Sequence, residues 1–166
     1  AQGEGAGPCG GRARRGARRM MPLAEMAEAV LRTADGREKT ALSRKYAAQW
    51  LSARAAGERP EVGRADPPLH PARPAQPELL SPRDVPRRRP GTPEGRAALL
   101  HAVAHIELNA VDLHWDVIAR FSHVPLPLGF YDDWVKAADD ESKHFNLMCD
   151  CPVSYTHLTL PTILRV

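Results

Sequence analysis

Residues 93–113 read PEGRAALLHAVAHIELNAVDL and residues 130–145 read FYDDWVKAADDESKHF. In the first stretch Leu100, Val103, Ala104, Val111 and Ile118 (the last just beyond it) recur at helical spacing. Thr92-Pro93-Glu94 supplies an N-cap hydroxyl, a proline at the first helical position and a first-turn acid. The spacing predicts a helix from Thr92 to about Phe121, roughly 29 residues and ~43 Å long, a length suited to a bundle. Pro125 and Pro127 mark a turn. A further helix is expected from about Phe130 to Met148, with Asp132 and Asp133 in its first turn, where the helix dipole favours anions. Short connection and long helices together predict an antiparallel hairpin.

Glu107 falls in the middle of the apolar stripe of the first of these helices. A carboxylate on a core-facing stripe needs a cation, a hydrogen-bond partner or a raised pKa, because burying it alone costs several kcal/mol at least. On the next helix Phe130, Trp134, Ala137, Glu141, His144, Phe145 and Met148 share a face. Glu141 and His144 are i and i+3, about 60° apart around the helix, so a carboxylate and an imidazole nitrogen can converge on one metal ion. Glu-x-x-His also arises by chance on acidic helices, where it is a solvated face. Its position beside Trp134 and Phe145, opposite an inward Glu, makes Glu107, Glu141 and His144 the candidate metal ligands. Four-helix bundles with two iron or manganese ions take a Glu from each of two helices and a Glu-x-x-His from each of the other two. These three residues are half of such a set.

The remaining polar residues of the hairpin carry less. His105 is a reserve ligand or an outer hydrogen-bonding group, and Asp112 a residue that steadies a ligand from outside the shell. His114 reads as a satisfied core histidine, Trp115 and Trp134 as packing, and Asp112, Asp116, Asp139 and Asp140 mainly as a solvated acidic face. No Ser-His-Asp order, phosphate-binding glycine loop or glycosidase acid pair is present.

Working outward, Leu23, Met26, Ala27, Val30 and Leu31 form a helical stripe that Asp35-Gly36 interrupts. A second helix is expected from about Lys39 to Ala55, with Leu42, Tyr46, Ala47, Trp50 and Leu51 facing one way. Residues 60–93 hold ten of the 16 prolines, which rules out helix and central strand and predicts an extended connector, either free or laid along the helices as a strap. Residues 1–21, with six glycines before Met20, read as a disordered leader or translated upstream sequence. The stretch VSYTHLTLPT, residues 153–162, resembles the translation of a sequencing adaptor, so residues 150–166 are expected to be an artefactual tail. The expected organisation is therefore 1–21 leader, 22–57 N-terminal helices, 58–92 connector, 93–149 helical hairpin and 150–166 tail.

Composition fits an all-α protein of one domain: 166 residues, 43% hydrophobic, 26% charged. No apolar run is long enough to span a membrane, and the Arg-rich start lacks a secretory core, so the default expectation is cytoplasmic with no membrane partner. Cys9, Cys149 and Cys151 have neither disulfide nor zinc spacing. The net charge of +3 conceals a split: residues 1–100 carry 19 basic and 11 acidic side chains, residues 101–166 carry 4 and 9. The basic half raises an alternative, a non-enzymatic helical module binding RNA.

The two quoted stretches, together with the Trp50 region, the proline-rich segment and Arg87-Arg88-Arg89, resemble a bacterial ferritin-like family of uncharacterised function over about Leu23 to Met148. The resemblance implies an incomplete ferritin-like four-helix bundle, with Glu107, Glu141 and His144 as the first-half ligands of a di-iron or di-manganese site. It further implies oxygen-dependent redox in the complete protein, either substrate oxidation, as in tRNA-modifying di-iron enzymes, or iron and peroxide handling. The second Glu and second Glu-x-x-His of such proteins are absent here. Truncation explains this, or two copies pair their hairpins into a homodimer.

Overall fold

A computed structural model describes residues 20–74 and 91–151. Among the described residues there are four helices and no strand: α1 (Leu23–Arg32), α2 (Gly36–Ala55), α3 (Pro93–Arg120) and α4 (Leu128–Asp150). The leader up to residue 19, the Arg87-Arg88-Arg89 segment and the tail from residue 152 lie outside them.

The α3 start follows its sequence signals: Thr92 Oγ1 accepts a hydrogen bond from the Gly95 amide at 3.0 Å, and Pro93 needs no partner for a missing N–H. Two boundaries differ from expectation. Asp35-Gly36 is a helix start instead of only a break, because Asp35 Oδ1 accepts from the Glu38 amide at 2.9 Å and caps α2. α4 begins at Leu128 after Pro127, so Asp132 and Asp133 lie beyond its first turn, which contains no acid. Asp132 instead accepts hydrogen bonds from Trp50 Nε1 (2.8 Å) and from Arg54, pinning α4 to α2.

All five predicted α1 stripe residues are fully buried, packed with Trp50, Val111, Trp115, Ile118, Tyr131 and Val135 in one core. Each such large side chain contributes about 1.5–3 kcal/mol on removal from water. α1 has no side-chain N-cap. The proline-rich strap replaces it: the Leu23 and Ala24 amides donate to the Glu61 and Val62 carbonyls, and at the other end the Ala72 amide donates to Leu31. Both ends of a short helix thus gain the partners that its terminal backbone groups lack. The connector is an ordered strap over 61–74, and Gly63 makes its close approach feasible: φ is +71°, and a Cβ there would sit 2.5 Å from Pro22 Cβ.

The buried face of α2 is more polar than its apolar stripe suggests. Lys39, Thr40 and Ser43 are buried with Ala47 and Trp50, while Leu42, Tyr46 and Leu51 are only half-buried. Ser43 Oγ accepts from Trp115 Nε1 at 2.8 Å and lies 2.9 Å from Ser142 Oγ, so a small hydroxyl network joins α2, α3 and α4 inside the core. The first half's basic residues engage the second half's acids: Arg37–Asp150, Arg44–Asp139, Arg54–Asp132, and Lys39 and Arg73 on Asp112.

Candidate metal centre

α3 and α4 run antiparallel, and their inner sides toward α1 and α2 carry the core. The buried set on α3 is Ala97, Ala104, Leu108, Val111, Trp115 and Ile118, and on α4 Tyr131, Val135, Ala138, Ser142 and Phe145. Of the faces expected to point inward, Ala104, Val111 and Ile118 on α3 and Phe145 on α4 are buried as predicted, whereas Leu100, Val103 and Glu107 and Trp134, Ala137 and Glu141 fall on the flank and are only half-buried. The displacement has a simple cause: apolar residues cover more than one side of both helices, so spacing alone does not say which side meets α1 and α2.

Glu107, Glu141 and His144 come together on this flank. One donor atom from each lies within 4.8 Å of the others. His144 Nδ1 is 3.1 Å from Glu141 Oε2 and 3.4 Å from Glu107 Oε2. Their side chains are 19% (Glu107), 27% (Glu141) and 52% (His144) exposed, so the cluster opens to solvent on the side of the imidazole. The carboxyls share a hydrogen bond. It holds Glu107 above the ordinary carboxyl range, with burial adding to the effect, and Glu141 below it. The hydrogen bond to Glu141 raises the His144 pKa, and both carboxylates reinforce it.

Two carboxylates and one imidazole are a donor set that iron or manganese accepts, and one oxygen or nitrogen from each is close enough to the others for one cation to be held. The two-ion centre implied by the family resemblance needs further donors, and the described residues bring no others to this point.

The supporting residues are placed differently from expectation. Asp112 is turned to the far side of α3, five residues and about 140° around from Glu107. It is buried there. Its Oδ1 is 2.5 Å from Lys39 Nζ and its Oδ2 2.8 Å from Arg73, so it steadies the strap instead of a ligand. The solvated face expected at Asp112 is thus a buried ion cluster. His105 is half-buried, two residues before Glu107, and contributes no atom to the converging set. His114 is half-buried with its ring 5.2 Å from Trp134, and its Nδ1 is buried without a hydrogen-bond partner among the described residues, so the satisfied core histidine is not realised. Sequence reading missed Lys39; the available signal was its spacing of four from Ser43 and eleven from Trp50 on one side of α2.

Residues 32–155 match the model of a family described as a protein of unknown function (DUF455). The chain belongs to this family. The DUF455 match covers all of α2, α3 and α4, and so includes the three converging residues. An uncharacterised protein of Haemophilus influenzae is 45% identical over 80 residues, which cover 45% of this chain and 28% of that relative. The aligned part therefore spans well under half of the relative's length. No solved structure matches.

Proposed function

We propose that this DUF455 chain carries a carboxylate–imidazole metal centre of the ferritin-like kind, with Glu107, Glu141 and His144 as ligands to iron or manganese. The convergence of these three side chains from two antiparallel helices carries the reading. Burial on one side keeps the carboxylates in place, while the exposed imidazole side is the route for an ion and a small reactant. Iron or manganese held there would supply oxygen-dependent redox chemistry. The residues themselves would hold the ion, and Glu141 orients His144 through its contact with the imidazole. The complete protein is accordingly read as an oxidase or hydroxylase, with substrate choice lying outside the metal shell.

Metal content tests this. Purified protein loaded with ferrous iron or manganese and then dialysed should retain stoichiometric metal, and Glu107→Gln or His144→Ala should lower retention at least about ten-fold with helicity unchanged. Retention unaffected by either substitution would overturn the assignment.

A further inference from the structure

The strap and the end of α3 form an open cleft that the fold does not fill. Its volume is about 510 Å³, within the range of small-molecule sites, and Ala65, Pro67 and Ala119 give it apolar walls. Four charged or titratable side chains also line it: Arg64 and Asp66 from the strap, Arg120 from the last turn of α3 and His123 from the turn beyond. Arg120 is thirteen residues along α3 from Glu107, ~20 Å, so the cleft is separate from the metal centre.

The fold fixes part of this set and leaves the rest uncommitted. Arg120 is held at two points, with Nε donating to Asp116 Oδ2 at 2.6 Å and Nη2 to the Pro68 carbonyl at 3.0 Å. Its guanidinium therefore has little freedom left to lose on taking a ligand, and Nη1 makes no hydrogen bond among the described residues. The strap side is held by Arg32, which donates to the Asp66 carbonyl at 3.2 Å. Arg64, Asp66 and His123 are exposed, and their side chains have no hydrogen bond or ion pair to another described residue. Arg64 and Asp66 thus line one cleft, two residues apart, without pairing to each other.

Donors and acceptor together select a class of ligand. Two guanidiniums and an imidazole offer N–H groups from two chain segments, which suits the three oxygens of a phosphoryl group better than the planar pair of a carboxylate. Asp66 is an acceptor only, so it repels a bare anion and pairs with hydroxyl groups. The cleft is also far larger than a phosphate ion. We infer that it binds a sugar phosphate, with the phosphoryl group on Arg64, Arg120 and His123 and the sugar hydroxyls on Asp66. This site stands apart from the metal reading and does not depend on it.

NMR titration of the 166-residue chain with ribose 5-phosphate, inorganic phosphate and ribose tests the inference. Expected is saturable binding of ribose 5-phosphate with amide shifts at residues 64–66 and 120–123, weaker binding of phosphate and none of ribose. Arg64→Ala changes an exposed side chain, and should weaken ribose 5-phosphate at least about ten-fold with helicity unchanged. Asp66→Asn should weaken ribose 5-phosphate and leave phosphate as tight or tighter. Phosphate bound as tightly as ribose 5-phosphate, or Asp66→Asn without effect on the latter, would overturn the sugar part of the assignment. No saturable shift with either phosphate compound, or binding unchanged in both Arg64→Ala and His123→Ala, would overturn the site itself.

Discussion

Lys39 Nζ and Asp112 Oδ1 lie 2.5 Å apart with both side chains almost wholly removed from solvent, although they are 73 residues apart in the chain. Arg73 reaches the other carboxylate oxygen and Asn109, and Lys39 also donates to the Ala72 carbonyl at 3.0 Å. The contact therefore fastens the strap, α2 and α3 together. Burial outweighs attraction in both partners: it pushes the Lys39 pKa down and the Asp112 pKa up despite the opposite charge beside each.

Removing one partner should be much worse than removing both. Asp112→Leu strands a buried ammonium and is expected to cost about 3–5 kcal/mol, whereas Lys39→Met with Asp112→Leu should lie near wild type or above it. Arg73, partly exposed, can turn to water in the double variant. Urea denaturation of the three proteins checks this; a double variant as unstable as Asp112→Leu would show that the pair contributes more than it costs.

A similar asymmetry applies at Ser43. Ser43→Ala leaves the buried Trp115 N–H without its acceptor and should cost about 1–3 kcal/mol, while Ser142→Ala leaves that bond intact and should cost less. Equal losses in thermal or urea unfolding would contradict the hydrogen-bond assignment.

Asp132 joins the indole of Trp50 to the guanidinium of Arg54. Asp132→Ala is expected to lose about 1–3 kcal/mol, and Asp132→Asn less, because the amide oxygen still accepts from Trp50. Denaturation midpoints and indole N–H chemical shifts distinguish the two variants.

Much of this architecture is legible in the sequence, because the signals are local. Thr92-Pro93 marks the start of α3, the α1 stripe predicts its buried face residue by residue, and ten prolines announce the strap. Sidedness was harder to read. α3 and α4 have apolar residues on their inner and outer sides, so the stripe through Glu107 is only partly core: Ala104, Val111 and Ile118 are buried, while Leu100, Val103 and Glu107 lie at its half-buried margin. The charge split is another case: +8 against −5 suggested an external polyanion, yet five basic residues of the first half contact acids of the second. Spacing cannot show such pairing across 39 to 113 residues. Glu107, Glu141 and His144 are identifiable as candidates because Glu-x-x-His and a Glu set within an apolar stripe are each defined within a single helix.

The pH response of the cluster should have opposite signs with and without metal. In the metal-free protein the His144 pKa is raised, so its contact with the carboxylates stabilises the fold fully below the unfolded value of about 6.5 and is lost as pH rises through the folded value. Metal binding needs the neutral imidazole and should strengthen over that same rise. Histidine NMR titration should find His144 above 6.5 in the wild type and nearer 6.5 in Glu141→Gln; no difference would remove Glu141 as the cause.

The proposed function stands or falls with metal binding by Glu107, Glu141 and His144. Anomalous diffraction from Mn²⁺- or Fe²⁺-loaded crystals at the absorption edge of the metal tests it most directly. The account predicts a peak at bonding distance from all three side chains that disappears in His144→Ala; a loaded crystal with its peak elsewhere, or with none, would contradict it.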